Sequence, residues 1–239
     1  MSSKHLFCGL VAASVLSSSI ALAHVSLPNG PAQADKSGTK IAFGVGHGCD
    51  VGGVHYDTSK VRVVIPAGMT AVRPLFSDFG KPTVTRSGTP AVVTQIEWIK
   101  DAGNVLAGDD AYYEITIRAK IPNAPFTQLP IVVQQVCVVG NSEVILSWDV
   151  LPPGTGNTAP VLTIVPQRLN ATSWNKFTIP AGVTVPADKL GTFFGDAQIV
   201  WKGTAAFSSN SATAALITTT AGVTALGALA AGDEIWVKY

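Results

Sequence analysis

Val61-Arg62-Val63-Val64-Ile65 and Tyr113-Glu114-Ile115-Thr116-Ile117-Arg118 are the stretches that decide the fold. Each alternates apolar with polar side chains. Because successive side chains of an extended chain point to opposite faces, such a stretch packs on one side and meets water on the other. Further short runs rich in Val, Ile, Thr and aromatics, bounded by turn residues, occupy residues 40–45, 60–65, 91–99, 112–119, 131–138 and 143–148. Sustained helical periodicity is absent. Several short strands at turn-punctuated spacing predict an all-β chain folded as an immunoglobulin-like β-sandwich.

Leu151-Pro152-Pro153-Gly154-Thr155-Gly156-Asn157-Thr158-Ala159-Pro160 is a Pro/Gly-rich break, and a linker is placed there. It divides residues 24–150 from a second, smaller, mainly-β segment, residues 161–239. Strands are expected in that segment at 161–165, 176–179, 196–202, 214–218 and 233–238, with a helical turn within 187–194. Ile65-Pro66-Ala67-Gly68-Met69-Thr70 is echoed by Ile179-Pro180-Ala181-Gly182-Val183-Thr184. A strand ending in a Pro-Gly turn favours such a hexapeptide in either half without any duplication.

Residues 1–23 carry Lys4 and His5 ahead of a short apolar run that finishes Ala21-Leu22-Ala23, the pattern of a secretory signal peptide cleaved before His24. The run is too short and too interrupted by Ser17, Ser18 and Ser19 to span a bilayer, which takes about 20 apolar residues. The product is expected to be soluble in the periplasm or outside the cell. With 16 basic against 15 acidic residues the chain lacks the basic excess of a nucleic-acid binder. Charged residues are only 13% and apolar ones 47%, so the surface must rest on Thr, Ser, Asn and Gly around a sizeable core. Without Cys8, which lies in the leader, Cys49 and Cys137 remain in an oxidising compartment. One disulfide is the economical reading, a thiolate metal site the alternative.

Cleavage after Ala23 would leave a free α-amine one short backbone link from the His24 imidazole, and the two together can chelate one metal ion. Both nitrogens lose their protons near neutral pH, and such donors suit copper, zinc and nickel, with Cu(II) highest in the affinity order. His47, between two glycines beside Cys49, and His55, after Gly52-Gly53, are additional candidate ligands. Glu97 with Trp98 forms an acid and aromatic pair that periodicity leaves open.

Ala23-His24-Val25, Gly46-His47-Gly48-Cys49-Asp50, Ser59-Lys60-Val61-Arg62-Val63-Val64-Ile65-Pro66-Ala67-Gly68 and Gln134-Gln135-Val136-Cys137 occur in an order that resembles the YcnI-like family of extracytoplasmic copper-binding proteins over roughly residues 24–150. The resemblance implies a β-sandwich that binds Cu(II) through the amine and imidazole of its terminal histidine, an acidic side chain and a nearby tryptophan. His24 matches the first. Lining up Ile115-Thr116-Ile117-Arg118-Ala119-Lys120 with the family strand puts Asp109 at the acidic position, where the family has glutamate, with Asp110 the competing choice. Trp148 matches the tryptophan. Turn formation by Asp109 and Asp110, and core packing by Trp148, are the alternative roles.

The expected function is that of a non-enzymatic copper chaperone or buffer of the cell envelope, exchanging its ion with other copper-handling or membrane proteins. The alternatives are a structural or partner-docking envelope protein without metal and a copper-dependent oxidative enzyme. The last would need His47 or His55 as a second histidine. No hydrolase signature is present: Gly-x-Ser-x-Gly is missing and no histidine follows residue 55.

Overall fold

The structure is a computed structural model in which residues 25–108, 110–151 and 154–239 are described. His24, Asp109 and the signal peptide expected at 1–23 lie outside the described residues. Twelve strands precede the Pro/Gly-rich break: β1 (Ala32–Gln33), β2 (Thr39–Val45), β3 (Cys49–Val51), β4 (Val54–Tyr56), β5 (Thr58–Val64), β6 (Thr70–Pro74), β7 (Lys81–Ser87), β8 (Val92–Ile99), β9 (Tyr113–Lys120), β10 (Thr127–Pro130), β11 (Val133–Val139) and β12 (Ser142–Trp148). After it come β13 (Val161–Val165), β14 (Trp174–Thr178), α1 (Leu190–Phe194), β15 (Ile199–Lys202), β16 (Ala205–Phe207), α2 (Ser211–Thr219), β17 (Thr224–Ala225) and β18 (Glu234–Lys238).

The alternation of β5 and β9 does what it predicts. In β5, Val61 and Val63 are buried while Arg62 points out, and in β9 Ile115, Ile117 and Ala119 are buried between exposed neighbours. β5 lies at the centre of a five-stranded sheet ordered β12-β11-β5-β8-β7, and β9 at the centre of a three-stranded one ordered β2-β9-β6. Their inward side chains share one core with Ile41, Phe43, Ile96, Trp98 and Val133. The first part of the chain is thus an all-β sandwich.

Several edge strands carry prolines that make them hard to read as strands. Pro82 in β7 and Pro74 at the end of β6 are tolerated because each strand is a sheet edge, where a missing N–H faces no partner. β13 pairs in parallel with β1 and antiparallel with β10, so Leu162 and Ile164 pack into the first core while Val165 packs into a second one. That second core, with Phe194, Ile235 and Val237, backs a sheet ordered β14-β18-β15-β16-β17.

The two echoed hexapeptides make the same turn. Met69 N–H donates to Pro66 C=O at 3.3 Å and Val183 N–H to Pro180 C=O at 3.1 Å. Gly68 and Gly182 take φ of +84° and +76°, which a side chain would resist. The strand expected at 214–218 is instead helix α2. Its β-branched Ile217 and Thr218 favour strands, but Asn210 caps the segment by accepting the N–H groups of Ala212 and Thr213 at 3.0 and 3.1 Å. Ala212, Ala214 and Ala215 then propagate the helix.

Cys49 and Cys137 form the disulfide, with Cα atoms 6.1 Å apart and a sequence separation of 88. Chain-entropy arguments for a loop of that length give about 4 to 5 kcal/mol. The Cys49→Ala/Cys137→Ala variant is therefore expected to lose about 2–5 kcal/mol of unfolding free energy in a urea titration. Asn210→Ala is expected to cost about 1 kcal/mol in the same measurement, as loss of a helix cap does; a strand at 214–218 would leave it neutral.

Candidate functional site

The chain immediately after His24 is a fixed edge of the sandwich. Val25 is buried, and Ser26 exchanges both backbone hydrogen bonds with Gly44 of β2, at 3.0 and 2.9 Å. Three residues on, the Asn29 side-chain oxygen accepts the Ala42 N–H at 2.5 Å. Across β2, Gly44 is paired with Glu114 of β9. Directly paired residues share a face, so Ser26, Gly44 and Glu114 form one outward row. Tyr112, exposed and two residues before Glu114, lies on the same side, and its hydroxyl occupies the space a Cβ at Gly44 would need. That atom would lie 2.0 Å from the Tyr112 hydroxyl and 2.9 Å from the Ser26 Oγ. Glycine at 44 is what admits the phenol to the row.

The loop at 101–112, which contains Asp110, is tied down by one carboxylate. Asp57, fully buried, receives Lys100 Nζ at 2.6 Å, the Tyr113 hydroxyl at 2.7 Å and the Leu106 N–H at 2.8 Å. Lys100 Nζ also donates to the Tyr113 oxygen at 2.7 Å and sits 3.9 Å from the centre of the Tyr113 ring, with Phe79 edge-on to that ring at 5.1 Å. The start, middle and end of the loop are thus gathered at Asp57. Burial, then the hydrogen bond that the phenol donates to Asp57 and the charge of that carboxylate, push the Tyr113 phenol far above the ordinary tyrosine range. Asp110 itself is exposed.

At the disulfide, the buried Gln135 amide donates to His47 C=O at 2.6 Å and to Thr58 Oγ1 at 2.8 Å, while His47 Nδ1 is 2.7 Å from Gly48 C=O. His47 therefore belongs to the turn that presents Cys49. His55 stands on β4 opposite Asp50. Trp148 is buried in the first core, opposite Val133, whereas Cys137 pairs with Val144 four residues along. At about 3.3 Å per residue the strand separates the two by roughly 13 Å. Glu97 and Trp98 are not brought together either. Alternation sends Glu97 out to Arg62 and Trp98 into the core, its Nε1 donating to Leu75 C=O at 3.4 Å.

No group of three His, Cys, Asp or Glu side chains able to hold a metal ion occurs among the described residues. Glu114 and Tyr112 escape sequence reading as site residues. The alternation in β9 shows that Glu114 points outward, but only strand register shows that it faces Ser26.

Asp57→Asn strips Lys100 of its buried counter-charge and is expected to cost about 3–5 kcal/mol in chemical denaturation, with faster amide exchange at Leu106. Folding keeps the Tyr113 phenol protonated beyond the pH of about 10 at which an unfolded tyrosine ionises. Its contribution is full below that pH and drains away above it. A phenolate absorbance titration is expected to show late-ionising phenols, Tyr113 and the buried Tyr239, of which Tyr113→Phe removes one.

No curated protein matches the chain in sequence. Among solved structures it is similar to an uncharacterized protein from Nocardia farcinica whose crystal structure is described as revealing an immunoglobulin-like fold. The identity is 19% and the TM-score 0.46, over 59% of this chain and 98% of that one. The family model described as Domain of unknown function (DUF1775) matches residues 24–164. Since that match takes in more than half of the chain and both strand-rich stretches that define the sandwich, the protein belongs to the DUF1775 family, which is the family of the YcnI-like proteins it resembles.

Proposed function

We propose that the protein is an extracytoplasmic Cu(II)-binding protein, a chaperone or buffer whose cargo is held by the amine and imidazole of His24 after signal-peptide removal. The observation that carries the proposal is the pairing of Ser26 with Gly44. A chelate on a loose tail loses chain entropy when it closes on an ion; here the backbone two residues away is already ordered by the fold, so that cost is smaller.

Ser26, the second residue after His24, shares its exposed row with Tyr112 and Glu114. Glu114, by its place in this row, joins Asp109 and Asp110 as a candidate for the acidic ligand. Trp148 serves the sandwich as a core residue, with the ligand role proposed for it by resemblance resting on that resemblance alone. The ion would be passed on to other envelope copper-handling or membrane proteins. The disulfide suits an oxidising compartment, and no helix among the described residues is long and apolar enough to cross a membrane.

The test starts from protein whose N-terminus is established as His24 by mass spectrometry. Titration with Cu(II) is expected to show one tight site per chain. One extra residue ahead of His24, or His24→Ala, is expected to abolish it. Of Asp109→Asn, Asp110→Asn and Glu114→Gln, one is expected to weaken binding by about 10–100-fold, the scale on which metal sites respond to loss of a supporting group. Unchanged affinity in the extended protein would overturn the proposal.

A further inference from the structure

The outer face of the C-terminal sheet carries three tryptophans that neither core uses. In β14, β15 and β18 the inward positions are Asn175, Phe177, Val200, Ile235 and Val237, which are buried or packed on the second core. The alternate positions face out. Trp201 is paired with Trp236, and Trp174 lies two residues from Lys176, which is itself paired with Trp236. The indoles thus run as a diagonal strip across three neighbouring strands. With strands about 4.8 Å apart and about 3.4 Å per residue along them, the strip extends roughly 12 Å from Trp201 to Trp174. It borders an open cleft of about 400 Å³, completed by Gly203. Trp174 is 40% and Trp236 48% exposed, so large apolar area is left in water at this one place.

The surroundings of the strip narrow its occupant. Aliphatic side chains do not line the cleft, as they would in a surface built for another protein's core or for lipid tails. The charged groups that share this face are Lys176 and Glu234, paired at 2.7 Å, and Lys238, opposite Trp174 in the register. A face without excess negative charge does not complement a quaternary ammonium, which aromatic sites can also take. Paired charges at the edge of flat indoles complement a ligand that is itself uncharged, has a C–H-lined flat side and carries hydroxyl groups around its rim. The negative face of an indole attracts polarised C–H groups, and Lys and Glu side chains exchange hydrogen bonds with hydroxyls.

We infer that the Trp174–Trp236–Trp201 strip is a binding site for an uncharged polysaccharide, on which successive sugar rings stack. The site is independent of the copper proposal, since it lies on a different sheet. In the intact protein it would hold the sandwich, with whatever cargo it carries, against a glycan matrix.

The probes are insoluble cellulose and chitin, and soluble xylan and glucomannan in affinity electrophoresis. The full chain from His24 is expected to be retained by at least one of them, with the tryptophan fluorescence shifted on binding and the retention little changed by salt. Trp174→Ala and Trp236→Ala are each expected to weaken it roughly tenfold, a loss typical of removing one stacking aromatic, and together to abolish it. Both side chains are substantially exposed, so the unfolding midpoint should stay at that of the parent protein. Lys176→Ala, on the rim, is expected to have a smaller effect. Absence of retention on all four polymers would overturn the proposal. So would retention that survives the double variant, binding confined to anionic polymers and lost in salt, elution by choline, or a dimer that the double variant dissociates.

Discussion

A carboxylate buried as completely as Asp57 has to be met by donors, and the sandwich is built around meeting it. Lys100 at the end of β8, Tyr113 at the start of β9 and the Leu106 N–H between them converge on its two oxygens. One carboxyl group, just ahead of β5 in the larger sheet, thereby reaches β9 of the smaller one and closes the loop that links β8 to β9. The Lys100 ammonium is also shielded by the Tyr113 and Phe79 rings. A half-satisfied version of this cluster would be worse than an apolar core, which makes the end of the sandwich an all-or-none assembly.

That rigidity matters for the surface above it. The Val45–Tyr113 pair faces inward and its neighbours Gly44 and Glu114 face outward on the same two strands. Fixing Tyr113 below therefore fixes the row above, against which Ser26 is paired. The same economy appears in the C-terminal sheet, where a core behind Ile235 and Val237 holds the intervening Trp236 outward. In both places a buried register decides what an exposed face presents. The two faces differ in chemistry: one carries the oxygen groups of Ser26, Tyr112 and Glu114, the other indoles beside the Lys176–Glu234 ion pair.

Strand alternation made the centre of the sandwich legible. β2, β5, β8, β9, β11 and β12 all fall where short apolar alternation marks them, because a strand buried on one side has to repeat with period two. The disulfide joins the two cysteines that remain once Cys8 is set aside. The edges were less legible. β6 and β7 contain Pro74 and Pro82, which read as strand breakers until it is known that no partner lies on that side. α2 was misread because Ile217, Thr218 and Thr219 look like strand residues, while the cap that overrides them, Asn210, acts through two hydrogen bonds to backbone beyond it.

By itself, then, the sequence determined the all-β class, the period of the central strands and the Pro-Gly turns at 65–70 and 179–184. These are local properties, set by backbone sterics and the spacing of apolar residues. Only the tertiary structure decided which outward residues share a face. Ser26 and Glu114 are far apart in the chain, as are Trp174 and Trp236, and Glu97 and Trp98 are adjacent yet point apart. Strand register creates or forbids each of these meetings, and register is settled by what the opposite, buried face can pack.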